Sequence, residues 1–204
     1  MTTLQDLLGM RFPVIQAPMA GAQGHALTTA VSNAGGLGSL PCAALSLEML
    51  RNELEQINAG TSAPYNVNFF AHRSPVQDAS REAEWRTSLT PYYREFDISP
   101  DSIPAGPGRA PFSAEAAELL SEFKPPVISF HFGLPDQALL TRVRGWGAKI
   151  ISSATTVAEA IWLEEQEVDA IIAQGLEAGG HRGFFLSHDV TTQVGTFALL
   201  PQIV

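Results

Sequence analysis

Three apolar runs decide the fold: Pro126-Val127-Ile128-Ser129-Phe130-His131-Phe132, Ala148-Lys149-Ile150-Ile151-Ser152-Ser153 and Asp169-Ala170-Ile171-Ile172-Ala173-Gln174. They lack the polar alternation of a half-exposed strand, and the longer amphipathic stretches Pro135–Gly145 and Thr156–Glu167 separate them. Short runs covered on both faces, joined by crossover helices, define parallel α/β architecture. Working outward, the same rhythm predicts strands at Pro13–Met19, Gly36–Pro41 and Tyr65–Phe70, and helices at Gly24–Ala34, Ser46–Ala59 and Ala114–Phe123. Ser46, Ser113 and Thr155 or Thr156 stand where side-chain acceptors cap orphan helical N–H groups.

The 204 residues are 45% hydrophobic, enough for one sizeable core. Twelve Lys and Arg against twenty-one Asp and Glu give a formal charge of -9, which disfavours nucleic acid as a partner because phosphate binding needs a basic face. Cys42 is the only cysteine, so no internal disulfide forms, and no Cys/His cluster has zinc-ligand spacing; no metal site is expected. The first nine residues lack a basic segment followed by an apolar core, and no run of about 18 uncharged apolar residues occurs. A cytoplasmic location without membrane spanning is the expectation. A homo-oligomer is compatible with the sequence.

One segment breaks the rhythm. From 71 to about 112 an insertion carries Trp85, Tyr92, Tyr93 and Phe96, then Pro100, Pro104, Pro107 and Pro111. Its Arg81–Phe96 part reads as a helix packing aromatics on the scaffold, and the segment as a whole reads either as a surface excursion or as a lid over the strand ends. Six strands with crossovers suit an open doubly wound sheet or most of a (β/α)8 barrel, which typically needs about 250 residues. Thr196–Val204 reads as an apolar helix without a stop signal, so the expectation is a single domain over 1–204 that lacks its last part.

In either architecture ligands sit at the carboxyl ends of the strands. Gln16-Ala17-Pro18-Met19-Ala20-Gly21 leaves the first strand with small residues that let a flat ligand approach the backbone, though a plain loop exit explains this hexapeptide as well. Asn33-Ala34-Gly35-Gly36-Leu37-Gly38 ends a helix, which excludes a nicotinamide-dinucleotide fingerprint, since that opens one. Asn66 and Asn68 share one face of a strand, and Asn68 can both donate to and accept from a flavin edge or serve a neighbouring loop. His131 ends a strand between two aromatics. The strongest stretch is Gln174-Gly175-Leu176-Glu177-Ala178-Gly179-Gly180-His181-Arg182-Gly183, whose glycines let backbone N–H groups converge on a ligand beside an imidazole and a guanidinium. His25, His72 and His188 have no partner pattern and are expected to be exposed.

At these residues the chain resembles the class I nitronate monooxygenases, formerly 2-nitropropane dioxygenases, which are FMN-dependent TIM-barrel enzymes. The likeness runs through Pro13–Met19, Ser32–Ser39, Asn66–Phe69 with His72-Arg73, Ser129–Gly133, Ala154–Thr156 and Gln174–Gly183. It implies a TIM-type barrel of about six βα units, with strands seven and eight and the FMN phosphate site beyond Val204. It implies that Ala17, Pro18 and Met19 line the FMN, that Asn68 and Gln174 bond its ring system, and that Gly179 and Gly180 bring amides against it. His181 is then the active-site histidine and His131 a second polar group of the pocket. The implied partners are a small nitronate and O2, with a carbonyl compound and nitrite as products. Phe112 falls about where family members carry an aromatic hydroxyl. Related flavin enoyl-reductases share a Glu-Ala-Gly-Gly-His stretch, so an FMN-dependent enoyl-thioester reductase is the alternative enzyme, and a non-catalytic barrel fragment is the alternative from another class.

Overall fold

The computed structural model describes residues 3–74, 76, 78–103 and 110–204, which fall into two compact units, 1–72 with 110–204, and 73–109. The larger unit runs α1 (Leu4–Leu8), α2 (His25–Ala34), β1 (Gly38–Pro41), α3 (Leu47–Gly60) and β2 (Tyr65–Phe70) before the smaller unit. In the smaller unit lie α4 (Ala79–Ser88) and α5 (Thr90–Glu95). The larger unit then continues through α6 (Ala114–Phe123), β3 (Val127–His131), α7 (Gln137–Gly145), β4 (Lys149–Ala154), α8 (Val157–Glu165), β5 (Ala170–Ala173) and α9 (Thr196–Ile203).

All four strand pairings are parallel and the strand order is β1-β2-β3-β4-β5, the chain order itself. A doubly wound sheet would reverse its order at a switch point. None occurs among the described residues, so the sheet is part of the singly wound wall of a (β/α)8-type barrel. Its pleat sorts the side chains. Leu40, Val67, Phe69, Ile128, Phe130 and Ile150 turn outward against the helices, where Leu54, Ile57, Leu120, Leu140 and Val143 complete the main core. Leu37, Val127 and Ile151 turn inward and meet Leu8 and Met10 from the first residues of the chain. Higher along the inner face stand Ser39, Asn66, Asn68 and Ser129, all buried. The inner wall is therefore apolar at the amino ends of the strands and polar toward their carboxyl ends.

The expected first strand, Pro13–Met19, is reduced to a single parallel bridge, Ile15 to Leu37. Leu37 N–H donates to Val14 and Gln16 N–H to Leu37, and there the ladder stops. Pro18 has no N–H for the next acceptor, the Ser39 carbonyl. The Gln23 amide supplies that bond instead, at 2.9 Å, and also reaches the Ala17 carbonyl at 3.1 Å. The second strand begins at Gly38 and not Gly36, because Gly36 still completes the turn that closes α2, its N–H bonding the Val31 carbonyl.

Ser46, Ser113 and Thr156 cap α3, α6 and α8, each accepting a backbone N–H at 3.2 Å. Helix α2 has no side-chain cap of its own; Glu53 of α3 accepts from His25 N–H at 2.5 Å and lies 3.1 Å from the His25 ring. His25 is thus paired, contrary to expectation. The five-residue α1, closed by a Thr3/Asp6 capping box, was not legible from periodicity because it is too short to show one.

In the smaller unit the expected Arg81–Phe96 helix is two helices. Pro91 cannot donate to the Thr87 carbonyl, so α4 ends and α5 starts with the proline in its first turn. No residue of either helix is buried, and Trp85 and Tyr92 are exposed, as is Phe96 just beyond α5. Of the prolines in that stretch, Pro104 and Pro107 lie outside the described residues.

Candidate active site

The carboxyl ends of β2, β3 and β4 and the loop after β5 bring together most of the residues singled out above. Asn68 is 8% exposed and its Nδ2 donates to Ser129 Oγ at 2.9 Å and to the Ser129 carbonyl at 3.3 Å. Its Oδ1 finds no donor among the described residues. Below it, Asn66 Nδ2 donates to Ser39 Oγ at 3.0 Å and Ser129 Oγ at 2.8 Å. Ser129, in step with the inward face, thus sets the orientation of both amides.

The loop from Gly175 to Gly183 is fastened at its far end. Gln174 spans it: Nε2 donates to the His181 carbonyl at 3.0 Å and Oε1 accepts from Gly183 N–H at 2.7 Å. His131 is engaged at both ring nitrogens, with Nδ1 2.6 Å from Ser153 Oγ and Nε2 3.3 Å from the His181 carbonyl. The His181 imidazole is exposed to solvent and meets Phe70 and Phe132 edge-on, ring centroids at 5.3 and 5.8 Å. Arg182 turns back on its own loop and donates to the Ala178 carbonyl. His72, expected to be exposed, is half-buried; it packs edge-on to Phe70 and Phe132, and its Nδ1 is buried with no partner among the described residues.

The loop's glycines divide by their surroundings. A Cβ on Gly183 would stand 2.5 Å from His131 Cε1 and 2.9 Å from both His131 Nδ1 and Ser153 Oγ, and one on Gly175 would collide with Thr196 and Glu177. Gly179 and Gly180 face open space, Gly180 at φ +80°. The outer two are therefore packing glycines, and the inner two leave room for a ligand. Gly183→Ala is expected to cost about 1 to 3 kcal/mol, the usual range for overpacking, because His131 must move. A urea titration with unchanged slope checks it.

Glu159 joins this loop to α8. It is 1% exposed; Oε2 accepts from Thr155 N–H at 2.7 Å and Thr155 Oγ at 2.8 Å, and Oε1 from Phe185 N–H at 2.6 Å and Leu186 N–H at 3.3 Å. In the sequence Glu159 is marked only by its place three residues after the Thr156 cap, which gives no sign of this role. Phe132 is a second omission: a bulky residue at φ +69°, a conformation that costs energy and recurs at functional sites.

Phe112 is buried on the outer side of the wall, edge-on to Phe69 at 4.9 Å and Phe130 at 5.3 Å. It belongs to the core and cannot stand in for a hydroxyl at the rim. Ala17, Pro18 and Met19 are exposed beside β1, tied to it through Gln23. Burial pushes the Cys42 thiol far above its ordinary range, leaving it inert. Among the described residues no helix is long and apolar enough to cross a membrane, and no cluster of three or more His, Cys, Asp or Glu could hold a metal. A cavity of about 530 Å³, lined by Asp6, Asn58, Tyr65 and Lys149 among others, lies at the opposite, amino end of the strands, the end that carries stability in barrels.

Burial holds the His131 imidazole below its ordinary value of 6.5, against the opposing pull of the His181 carbonyl. The unfolded chain therefore takes up this proton at higher pH than the folded one. His131's share of stability is complete above about pH 6.5 and is lost as pH falls from there toward the lowered folded value. Urea midpoints are expected to drop on acidification through that window, with a shallower drop in His131→Gln.

Comparison with known proteins agrees with this arrangement. The nitronate monooxygenase family model matches residues 1–204. A nitronate monooxygenase of Paraburkholderia phytofirmans is 41% identical over 198 residues, 96% of this chain and 54% of that protein. The structure of a nitroalkane oxidase from Streptomyces ansochromogenes superposes with a TM-score of 0.84 at 33% identity, covering 98% of this chain and 56% of the other. FabK from Thermotoga maritima superposes with a TM-score of 0.69 at 25% identity, covering all of this chain and 50% of the other. The chain thus spans about half the length of the curated relatives it matches, and within that span it carries five strands of the barrel wall, the rim amides and the histidine loop. It belongs to the nitronate monooxygenase family.

Proposed function

We propose that this chain acts as, or as part of, an FMN-dependent nitronate monooxygenase that converts small alkyl nitronates and O2 into carbonyl compounds and nitrite. The observation that carries the reading is His181, held by its main chain at the rim with its imidazole against Phe70 and Phe132. The donor set fits a flavin. Asn68 Oδ1 is an acceptor without a partner among the described residues, for a ring N–H, and the space above Gly179 and Gly180 is open where a flat ring system needs backbone approach. Ala17, Pro18 and Met19 would line the other side. Gln174 supports the site through the loop, since both ends of its amide are used there.

FMN, when bound, supplies the electron acceptor for the nitronate and the partner for oxygen. The protein's own task is to bind and orient. The His181 imidazole donates a hydrogen bond to a nitronate oxygen, where negative charge is concentrated. Phe70 and Phe132 offer an apolar surface to the alkyl group and keep water from that side. A nitronate is already an anion, so no proton needs to be removed from carbon; a neutral nitroalkane would require His181 as base.

Mixing the FMN-loaded chain anaerobically with propionate 3-nitronate tests the proposal. Loss of the oxidised flavin band is expected. A protein that stays colourless after incubation with FMN, or an oxidised band that survives the nitronate, contradicts it.

A further inference from the structure

Two side-chain donors converge on one main-chain oxygen, the carbonyl of His181: Gln174 Nε2 at 3.0 Å and His131 Nε2 at 3.3 Å. A carbonyl only accepts. His131 must therefore carry a proton on Nε2, and because Ser153 Oγ stands 2.6 Å from Nδ1, the serine hydroxyl is placed to donate to the bare nitrogen. Gly183, two residues past His181, packs on the same His131–Ser153 pair and donates its N–H to Gln174 Oε1 at 2.7 Å. Residues on β3, β4 and just beyond β5 thus grip the backbone on both sides of Arg182.

We propose that His131 is a positioning residue: in its neutral Nε2–H form, oriented by Ser153 and assisted by Gln174, it fixes the main chain of His181 and so the direction of that imidazole. His131 spends both ring nitrogens inside the protein and reaches the substrate only through His181. The charged or titratable groups that face it are His181 from the loop, His72 across the Phe132 ring and Glu159 from α8. The consequence for catalysis rests on the nitronate reading, but the hydrogen-bonding state of His131 does not.

The test needs neither substrate nor cofactor. In the chain labelled with 15N-histidine, two-bond 1H–15N correlations report which ring nitrogen bears the proton. His131 is expected as the Nε2–H tautomer across about pH 6.5 to 8, the upper part of the span of roughly pH 5 to 8 in which histidine changes charge. Ser153→Ala should mix the tautomers and speed amide exchange at Gly183 about tenfold, the scale of losing one such bond. Ser153→Thr, which keeps the hydroxyl, should restore both. An Nδ1–H or charged imidazole at neutral pH overturns the proposal, as does an unchanged His131 spectrum in Ser153→Ala. If Ser153→Ala fails to fold, the tautomer in the unmodified chain decides. Failure of the nitronate reading would show as an unreduced flavin with these spectra intact, so the two failures are distinguishable.

Discussion

Replacing Glu159 by Ala is expected to cost about 2 to 5 kcal/mol, because each buried donor it leaves unpaired costs about 1 to 3 kcal/mol. Three backbone N–H groups and one hydroxyl converge on this carboxylate, at a position 1% exposed, and the two Thr155 donors among them are buried, so they gain no water when it is lost. The truncation also leaves a void beside Ala160 and Leu163. Glu159→Gln should fall between the two, since its single carbonyl oxygen can serve only one pair of donors. Urea unfolding at constant slope measures the loss. Limited proteolysis should locate it, with cleavage between Gly175 and Leu186 appearing before the strands are attacked, because Phe185 and Leu186 are the loop's hold on α8.

His181→Ala is expected to behave in the opposite way. The ring is exposed on one side and rests on Phe70 and Phe132 by its edge, so stability should change by less than about 1 kcal/mol. Nitronate turnover should fall about 100- to 1000-fold in kcat, the usual loss when one donor to a developing charge is removed. Steady-state oxygen consumption with propionate 3-nitronate separates the two effects. A parallel fall in stability and rate would make His181 a scaffold residue. The contrast between Glu159 and His181, one buried and load-distributing, the other exposed and chemically placed, is the physical content of the site assignment.

Much of this was legible in the residues. Val127–His131 and Lys149–Ala154 are covered on both faces, and covered strands read as unbroken apolar runs; Ala170–Ala173 reads the same way, yet its Ile172 is exposed. The rim followed from that, because parallel strands end on one side. What escaped depended on partners distant in sequence. Glu159 meets Phe185 and Leu186 across 26 and 27 residues, and no local pattern announces such a pairing. Phe112 has no periodicity around it, so its turn toward Phe69 and Phe130 could not be read. Pro13–Met19 is no full strand for a reason visible in its residues: a proline two residues beyond the last ladder donor forbids the next bond. Gln174 shows the limit of assigning roles by residue type, since a rim amide serves a ligand or its own loop with equal chemistry, and here the loop takes both ends.

The central claim is that a flavin ring lies at this rim facing His181. FMN titrated into the chain labelled with 15N-histidine tests it most directly, because an aromatic ring system shifts the signals of an imidazole beside it. The account predicts saturable shifts at His181, weaker ones at His131, and none at His25, which is paired with Glu53 on the outer helices. Saturating FMN that leaves His181 unmoved would contradict it.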